Sequence, residues 1–121
     1  MVYTAESRSL AALEVLVHLD GPARGFSIVR CEFDDTLVET LAVAALPADW
    51  RSSPAPVAVA HIGDAWVART SSVVLSVPSA VVDGEHNYLM NPRHPDFSHI
   101  TIGAAEPFPY DERIVALTEG H

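Results

Sequence analysis

The sequence predicts a single α+β domain in which a compact mixed sheet is flanked by helices. Three observations support this prediction: the chain has 121 residues, 49% of them are hydrophobic, and no repeat or linker divides it. A chain of this length can bury about two-thirds of its unfolded surface in a single core. Because the apolar residues fall into both helix-like and strand-like segments, we expect one domain over residues 1–121.

An apolar helix near the start of the chain is the clearest predicted element. From Leu10 to Leu19 only Glu14 and His18 are polar. Their spacing of four residues places both side chains on one face of a helix, while leucines cover the opposite side. This polar stripe must therefore face either solvent or a cleft.

The remaining elements follow from turn residues and from hydrophobic spacing. Residues 2–5 read as extended, Ser7 or Ser9 is placed to cap the helix, and Asp20-Gly21-Pro22 is expected to end it. We predict strands at 25–33, 73–77 and 100–102, and a helix at 57–68 with Trp66 in the core. Segments 37–46 and 107–117 fit either a short helix or an extended piece. We expect turns or loops at 34–36, 52–56 and 83–84, and over 86–97 because prolines and asparagines are frequent there.

The charge of the chain excludes some classes of partner. Sixteen acidic residues against seven arginines, with no lysine, give a net charge of −9. Nucleic acid and anionic membrane surfaces should repel such a chain, since phosphate contacts need clustered basic groups. No apolar run is long enough to span a bilayer, and no secretory signal is evident. The single Cys31 cannot form an internal disulfide, so we expect a cytoplasmic protein.

Known catalytic and metal-binding motifs are largely missing from the sequence. His86, His94, His99 and Asp96 are metal-ligand types, but their spacing matches no common zinc pattern. Loop histidines that bond backbone groups are the simpler interpretation, and a metal-dependent hydrolase at this loop is a minor hypothesis. Neither a G-x-S-x-G elbow nor a phosphate-binding glycine loop occurs.

Six blocks of the sequence together resemble the RES-domain family, in the family's order and over nearly the whole chain. The blocks are YTAESRSLAALEVLVHL at 3–19, LPADWR at 46–51, GDAW at 63–66, VPSAVV at 77–82, NYLMNPRHPDF at 87–97 and FPYDERI at 108–114. The resemblance implies a bacterial toxin of a type II toxin–antitoxin pair, neutralised by a helix-turn-helix (Xre-like) antitoxin. It also implies a fold like that of ADP-ribosyltransferases and an enzyme that consumes NAD without a metal. The nicotinamide–ribose bond would break by phosphorolysis, hydrolysis or ADP-ribosyl transfer.

The resemblance also assigns candidate site residues. Tyr3 matches the family's active-site tyrosine, Glu14 its catalytic glutamate, and Ser79 the serine that follows the Val-Pro strand end. Asn87 lies in a loop expected near the NAD pocket and is a further candidate. A fixed carboxylate suits the oxocarbenium-like ribose that forms when the glycosidic bond breaks. The tyrosine could stack on a nucleotide ring, and the serine could bond the nicotinamide or the ribose.

The sequence departs from the family pattern at its front. The resemblance implies an upstream block whose arginine binds the NAD phosphates, and this chain begins at Met1 just past that block. We therefore expect either a true start further upstream or an N-terminally truncated domain. A truncated, inactive domain that retains only antitoxin binding is the alternative function. The sequence does not identify the second substrate. It also leaves the oligomeric state open between a monomer and a homodimer.

Overall fold

The computed structural model describes residues 1–119 and shows the predicted α+β arrangement. The strands are β1 (Val2–Ala5), β2 (Ser27–Ile28), β3 (Cys31–Glu32), β4 (Val38–Thr40), β5 (Val74–Pro78), β6 (His86–Met90), β7 (Thr101–Ile102) and β8 (Glu106–Pro107). The helices are α1 (Arg8–Val17), α2 (Val57–Arg69) and α3 (Glu112–Thr118), with 3-10 turns at Asp35–Leu37, Val43–Ala45 and Pro95–His99. None of these helices is long and apolar enough to cross a bilayer.

A four-stranded mixed sheet forms the centre of the fold, in the order β1-β6-β5-β4. β6 pairs antiparallel with β1 and with β5, whereas β4 and β5 run parallel. In this register Tyr3, Leu89 and Leu75 lie side by side across three strands. Since side chains alternate along a strand, these three residues share one face of the sheet.

The two faces of the main sheet are packed differently. On one face Val74 and Met90 form a buried core with Ile100. On the other face Trp66 of α2 packs against Leu75 and Leu89. The second face is the one on which Tyr3 lies, so this residue shares its side of the sheet with α2.

Helix α1 is attached by its apolar side to the last part of the chain. Ala12 and Leu16 of α1 pack against Tyr110 and Val115, and the Tyr110 hydroxyl donates to the carbonyl oxygen of Ala12 at 2.7 Å. Ser7 is the N-cap, since its Oγ accepts from the backbone N–H of Leu10, which confirms one of the two predicted caps. These contacts leave the polar stripe of α1 free to face the main sheet.

Two predicted segments are corrected by the structure. The predicted strand 25–33 is split into β2 and β3, because the chain leaves β8 and then pairs with β7. The segment 86–97 was expected to be loop throughout, but its first part is β6, an inner strand of the main sheet. Both of its prolines lie after Met90, where the strand ends, so they do not interrupt the pairing.

Segments 37–46 and 107–117, which fitted either a short helix or an extended piece, each contain both an extended part and a helical part. Residues 37–46 include strand β4 and then the 3-10 turn at Val43–Ala45. Residues 107–117 begin within β8 and continue into α3, which Asp111 caps through its side chain. Predicted helix 57–68, predicted strand 73–77 and the core position of Trp66 are confirmed.

Candidate active site

A cavity of about 790 Å³ lies between α1, α2 and the face of the main sheet that carries Tyr3. Its size falls within the range of about 300–1,000 Å³ that is typical of small-molecule sites. The residues that line it include Tyr3, Glu14, Val17, His18, Leu46, Trp50, Arg51, Val59, Ile62, Leu75, Val77, Ala80, Val81 and Leu89. Most of these side chains are apolar, so the few polar groups among them decide what the cavity can bind.

Local structure brings Tyr3 and Glu14 to this cavity. Tyr3 pairs with Leu89 of β6, and strand alternation turns its side chain toward the cavity. The hydroxyl of Ser7 caps α1 and also donates to Glu85 Oε1 at 3.1 Å. The start of α1 is thereby held near the turn before β6, and Glu14, two turns further along the helix, lines the cavity.

Glu14 presents an acceptor that no residue among 1–119 uses. Its Oε1 is buried, and it has no hydrogen-bond partner among the described residues. Buried polar atoms are almost always hydrogen-bonded, because an unmade bond in the interior costs about 1–3 kcal/mol. A carboxylate oxygen in this position can therefore accept a hydrogen bond from a ligand without losing one from the protein.

The Tyr3 hydroxyl is held in its neutral form. Loss of hydration raises the pKa of Tyr3 to about 12, and the nearby negative charge of Glu14 adds to the effect. More than half of the residue's surface is exposed, so we assign the lost hydration to the hydroxyl end of the side chain. At neutral pH the phenol can donate a hydrogen bond or stack through its ring, but it cannot serve as a base.

Glu14→Gln should lower the pKa of Tyr3 while leaving it above its ordinary value of 10. The charge of Glu14 disfavours the phenolate, so its removal makes ionisation easier, and burial, the larger cause, remains. Titration of the tyrosine ring signals by NMR would measure the shift. Tyr110 is the internal control, because burial alone raises its pKa. An unchanged Tyr3 titration in the variant would contradict electrostatic contact between the two side chains.

Ser79 and Asn87 do not line the cavity, although the nearby Pro78, Ala80 and Leu89 do. Ser79 is 1% exposed, and its Oγ accepts from the backbone N–H groups of Val81 and Val82 at 3.1 and 3.0 Å. Asn87 is fully buried on the cavity face of β6, where its Nδ2 donates to the carbonyl oxygen of Thr4. Its Oδ1 has no partner among residues 1–119. The structure thus brings Tyr3 and Glu14 together and leaves the other two candidates outside the lining.

Arg51 and Trp50 are lining residues to which the sequence pattern assigned no role. The Arg51 guanidinium lies 4.8 Å from the centre of the Trp50 ring and pairs with Asp83. Both residues belong to the LPADWR block, and that block was the only signal that could have identified them. Trp50 and Arg51 lie far from Glu14 in the sequence, so the sequence alone did not show that these three residues line one cavity.

The histidine-rich loop is structural in the part of the chain that is described. His94 Nδ1 accepts from the backbone N–H of Asp96 at 3.0 Å, and its Nε2 lies 3.0 Å from the carbonyl oxygen of Thr70. This agrees with the predicted bonding to backbone groups for His94, whereas the rings of His86 and His99 lie 3.9 Å from the carboxylates of Glu6 and Asp96. Within residues 1–119 no group of three or more histidine, cysteine or acidic side chains could hold a metal ion.

Comparison with known proteins identifies the family. The RES domain model matches residues 1–111. The chain belongs to the RES-domain family. A protein named Toxin Res from Yersinia enterocolitica is 38% identical over 117 residues, covering 93% of this chain and 76% of that toxin. Toxin Res of Photorhabdus laumondii is 35% identical, with 94% of this chain and 75% of the relative covered.

A further relative of this RES domain carries a name that describes its activity. The Prs ADP-ribosylating toxin from a Sphingobium strain is 34% identical over 120 residues, covering 95% of this chain and 74% of the relative. The α+β arrangement of the model is consistent with a RES domain. The chain is therefore a RES domain that is similar to toxins over most of its length.

Proposed function

We propose that this RES domain is a toxin enzyme that cleaves the nicotinamide–ribose bond of NAD and that a helix-turn-helix antitoxin neutralises it. The single observation that supports the reaction most strongly is the unpartnered, buried carboxylate oxygen of Glu14 in a nucleotide-sized cavity beside Tyr3. The similarity to a relative named Prs ADP-ribosylating toxin supports the same class of chemistry. NAD enters as a substrate, and the reaction requires no metal.

Glu14 would act on the ribose. As the bond between the ribose C1′ and the nicotinamide nitrogen breaks, both bonding electrons leave with the nicotinamide and positive charge develops on the sugar. A fixed carboxylate in an apolar cavity stabilises that charge more strongly than water does, and its free oxygen can accept from a ribose hydroxyl. Water, phosphate or a protein side chain then forms the new bond to C1′ and loses a proton.

The other three candidate residues have supporting roles in this proposal. Tyr3, neutral at physiological pH, offers a ring for stacking against the nicotinamide or adenine. Ser79 is 1% exposed and does not line the cavity, so its role would be indirect: its Oγ accepts two backbone N–H groups and fixes the turn that carries the lining residue Val81. Asn87 Oδ1 is an unused acceptor on the same face of β6 as Leu89.

Incubation of the purified chain with NAD should release free nicotinamide, measured by chromatography. Parallel reactions in water, with added phosphate and with a bacterial extract would show which second substrate takes the ADP-ribosyl group. Addition of a chelator should leave the rate unchanged, whereas inhibition would favour a metal-dependent enzyme. Absence of nicotinamide under every condition would contradict the proposed reaction and leave an inactive domain that binds only its antitoxin.

A further inference from the structure

A nucleotide with a pyrophosphate needs a cationic contact in this cavity, and the overall charge of the protein does not favour such a ligand. The net charge of −9 creates a field that opposes a polyanionic ligand. The chain contains no lysine, so any cationic contact from a long side chain must come from one of its seven arginines. Among the described residues that line the cavity, Arg51 is the only arginine.

Arg51 lines the cavity and stacks on Trp50, and its side chain is 48% exposed. Its guanidinium lies over the Trp50 ring, which restricts the plane of the group without occupying its N–H donors. Five other arginines pair with carboxylates at positions that do not line the cavity: Arg8, Arg24, Arg30, Arg69 and Arg113. Arg51 is thus distinguished from them by its position and by its aromatic support.

The partner of Arg51 is one that a phosphate can replace. Asp83 contacts only one guanidinium nitrogen of Arg51, and the two side chains are 83% and 48% exposed. An exposed ion pair of this kind contributes only about 0–1 kcal/mol. Arginine binds phosphate oxygens through two parallel N–H donors, which is a stronger arrangement than a single contact to a solvated carboxylate.

The position of Asp83 is itself defined by the fold. Asp83 lies in the turn between Ser79 and Glu85, which is closed by the Ser79 N–H donating to the carbonyl oxygen of Glu85 at 2.8 Å. The Ser79 hydroxyl oxygen accepts two more N–H groups inside the same turn. These bonds define the backbone of the turn from which the exposed Asp83 carboxylate contacts Arg51.

We infer that Arg51 binds the phosphates of the nucleotide that enters this cavity and that Asp83 competes with those phosphates for its guanidinium. The inference rests on the proposed function, because NAD supplies the pyrophosphate. It predicts that loss of Arg51 weakens nucleotide binding, whereas loss of Asp83 does not weaken it. A purely structural pair would respond in the same direction to loss of either side chain.

The test uses the full chain and measures affinity by calorimetry with ADP-ribose, which carries the pyrophosphate but no bond to cleave. Arg51→Gln should weaken ADP-ribose binding about tenfold or more, the effect of losing charge-assisted hydrogen bonds. Asp83→Asn should leave binding unchanged or tighten it by up to about fivefold, the value of an exposed ion pair. Nicotinamide riboside, which lacks the pyrophosphate, should bind Arg51→Gln as it binds the wild type.

Arg113→Gln is the matched control, since it removes the same charge from an exposed arginine that pairs with Asp111 away from the cavity. It should leave ADP-ribose affinity nearly unchanged. The inference is overturned if the wild type binds no ADP-ribose, if Arg51→Gln binds it as tightly as the wild type, or if Asp83→Asn weakens binding as Arg51→Gln does. If Arg51 controls ADP-ribose binding but the wild type releases no nicotinamide from NAD, the proposed function fails and the inference stands. If the wild type cleaves NAD but ADP-ribose binding does not depend on Arg51, the proposed function stands and the inference fails.

Discussion

Glu14→Gln should lower NAD turnover by about 100-fold or more while the domain stays folded. Glutamine has nearly the same shape as glutamate, so the cavity keeps its outline, but the neutral amide cannot stabilise positive charge on the ribose. Because Glu14 Oε1 has no partner among the described residues, the substitution breaks no hydrogen bond of the ligand-free domain through that atom. We therefore expect the melting temperature to be unchanged or slightly higher.

Two measurements separate this loss of turnover from a general effect of charge removal. Nicotinamide release should be followed under single-turnover conditions, and ADP-ribose affinity should be determined for the same variant. Glu32→Gln is the control, since Glu32 is an exposed acidic residue of β3 that pairs with Arg30. Full turnover in Glu14→Gln would remove this carboxylate from the mechanism, whereas equal losses in both variants would point to overall charge.

Trp66→Ala should cause the largest loss of stability among alanine substitutions in α2. Trp66 is fully buried against Leu75 and Leu89, and its Nε1–H donates to Ser72 Oγ at 2.8 Å. Truncation of a buried aromatic residue to alanine costs about 3–5 kcal/mol. Since the free energy of unfolding of a small domain is about 5–15 kcal/mol, the variant should lose a large share of it.

The lost hydrogen bond adds to the effect because Ser72 is part of a wider network. Ser72 Oγ also bonds Glu39 Oε1 at 2.9 Å, and Glu39 in turn accepts from Arg69 and Ser71. Urea denaturation should show a smaller loss for Trp66→Phe, which keeps an aromatic ring but removes the donor. Trp50→Ala is the control, since Trp50 is only partly buried. If Trp66→Ala were no less stable than Trp50→Ala, the role assigned to Trp66 would be wrong.

Hydrophobic spacing was sufficient to predict helices α1 and α2 but not the arrangement of the strands. Helices α1 and α2 follow from apolar positions that are local in sequence, although α1 ends at Val17, before its predicted stop at Asp20. β6 was missed because its composition, HNYLM, resembles a loop, and its burial between β1 and β5 depends on partners far along the chain. The split of segment 25–33 depends in the same way on two separate partners, β8 and β7.

A site residue could be predicted only where its polarity differs from that of the residues next to it in the sequence. Glu14 interrupts an apolar helix, so its stripe and the family resemblance could both identify it. Arg51 lies between Pro47 and Pro54, in a segment without regular structure. Its position at the cavity depends on the tertiary fold and is not visible in the local sequence. The engagement of the Ser79 hydroxyl by backbone groups also depends on the conformation of a turn, which the residue types alone do not determine.

The order of the strands has a consequence for synthesis on the ribosome. β1 is made before the other strands described here, and among residues 1–119 its only strand partner is β6; Thr4 bonds Tyr88 across 84 residues of sequence. Tyr3 and Glu14 therefore emerge well before Leu75, Leu89 and the rest of the cavity wall exist. At about 5–20 residues per second, a nascent chain spends several seconds with its candidate catalytic glutamate outside any cavity. A cell that makes this protein thus has an interval in which a partner could bind the unfinished chain before a complete cavity has formed.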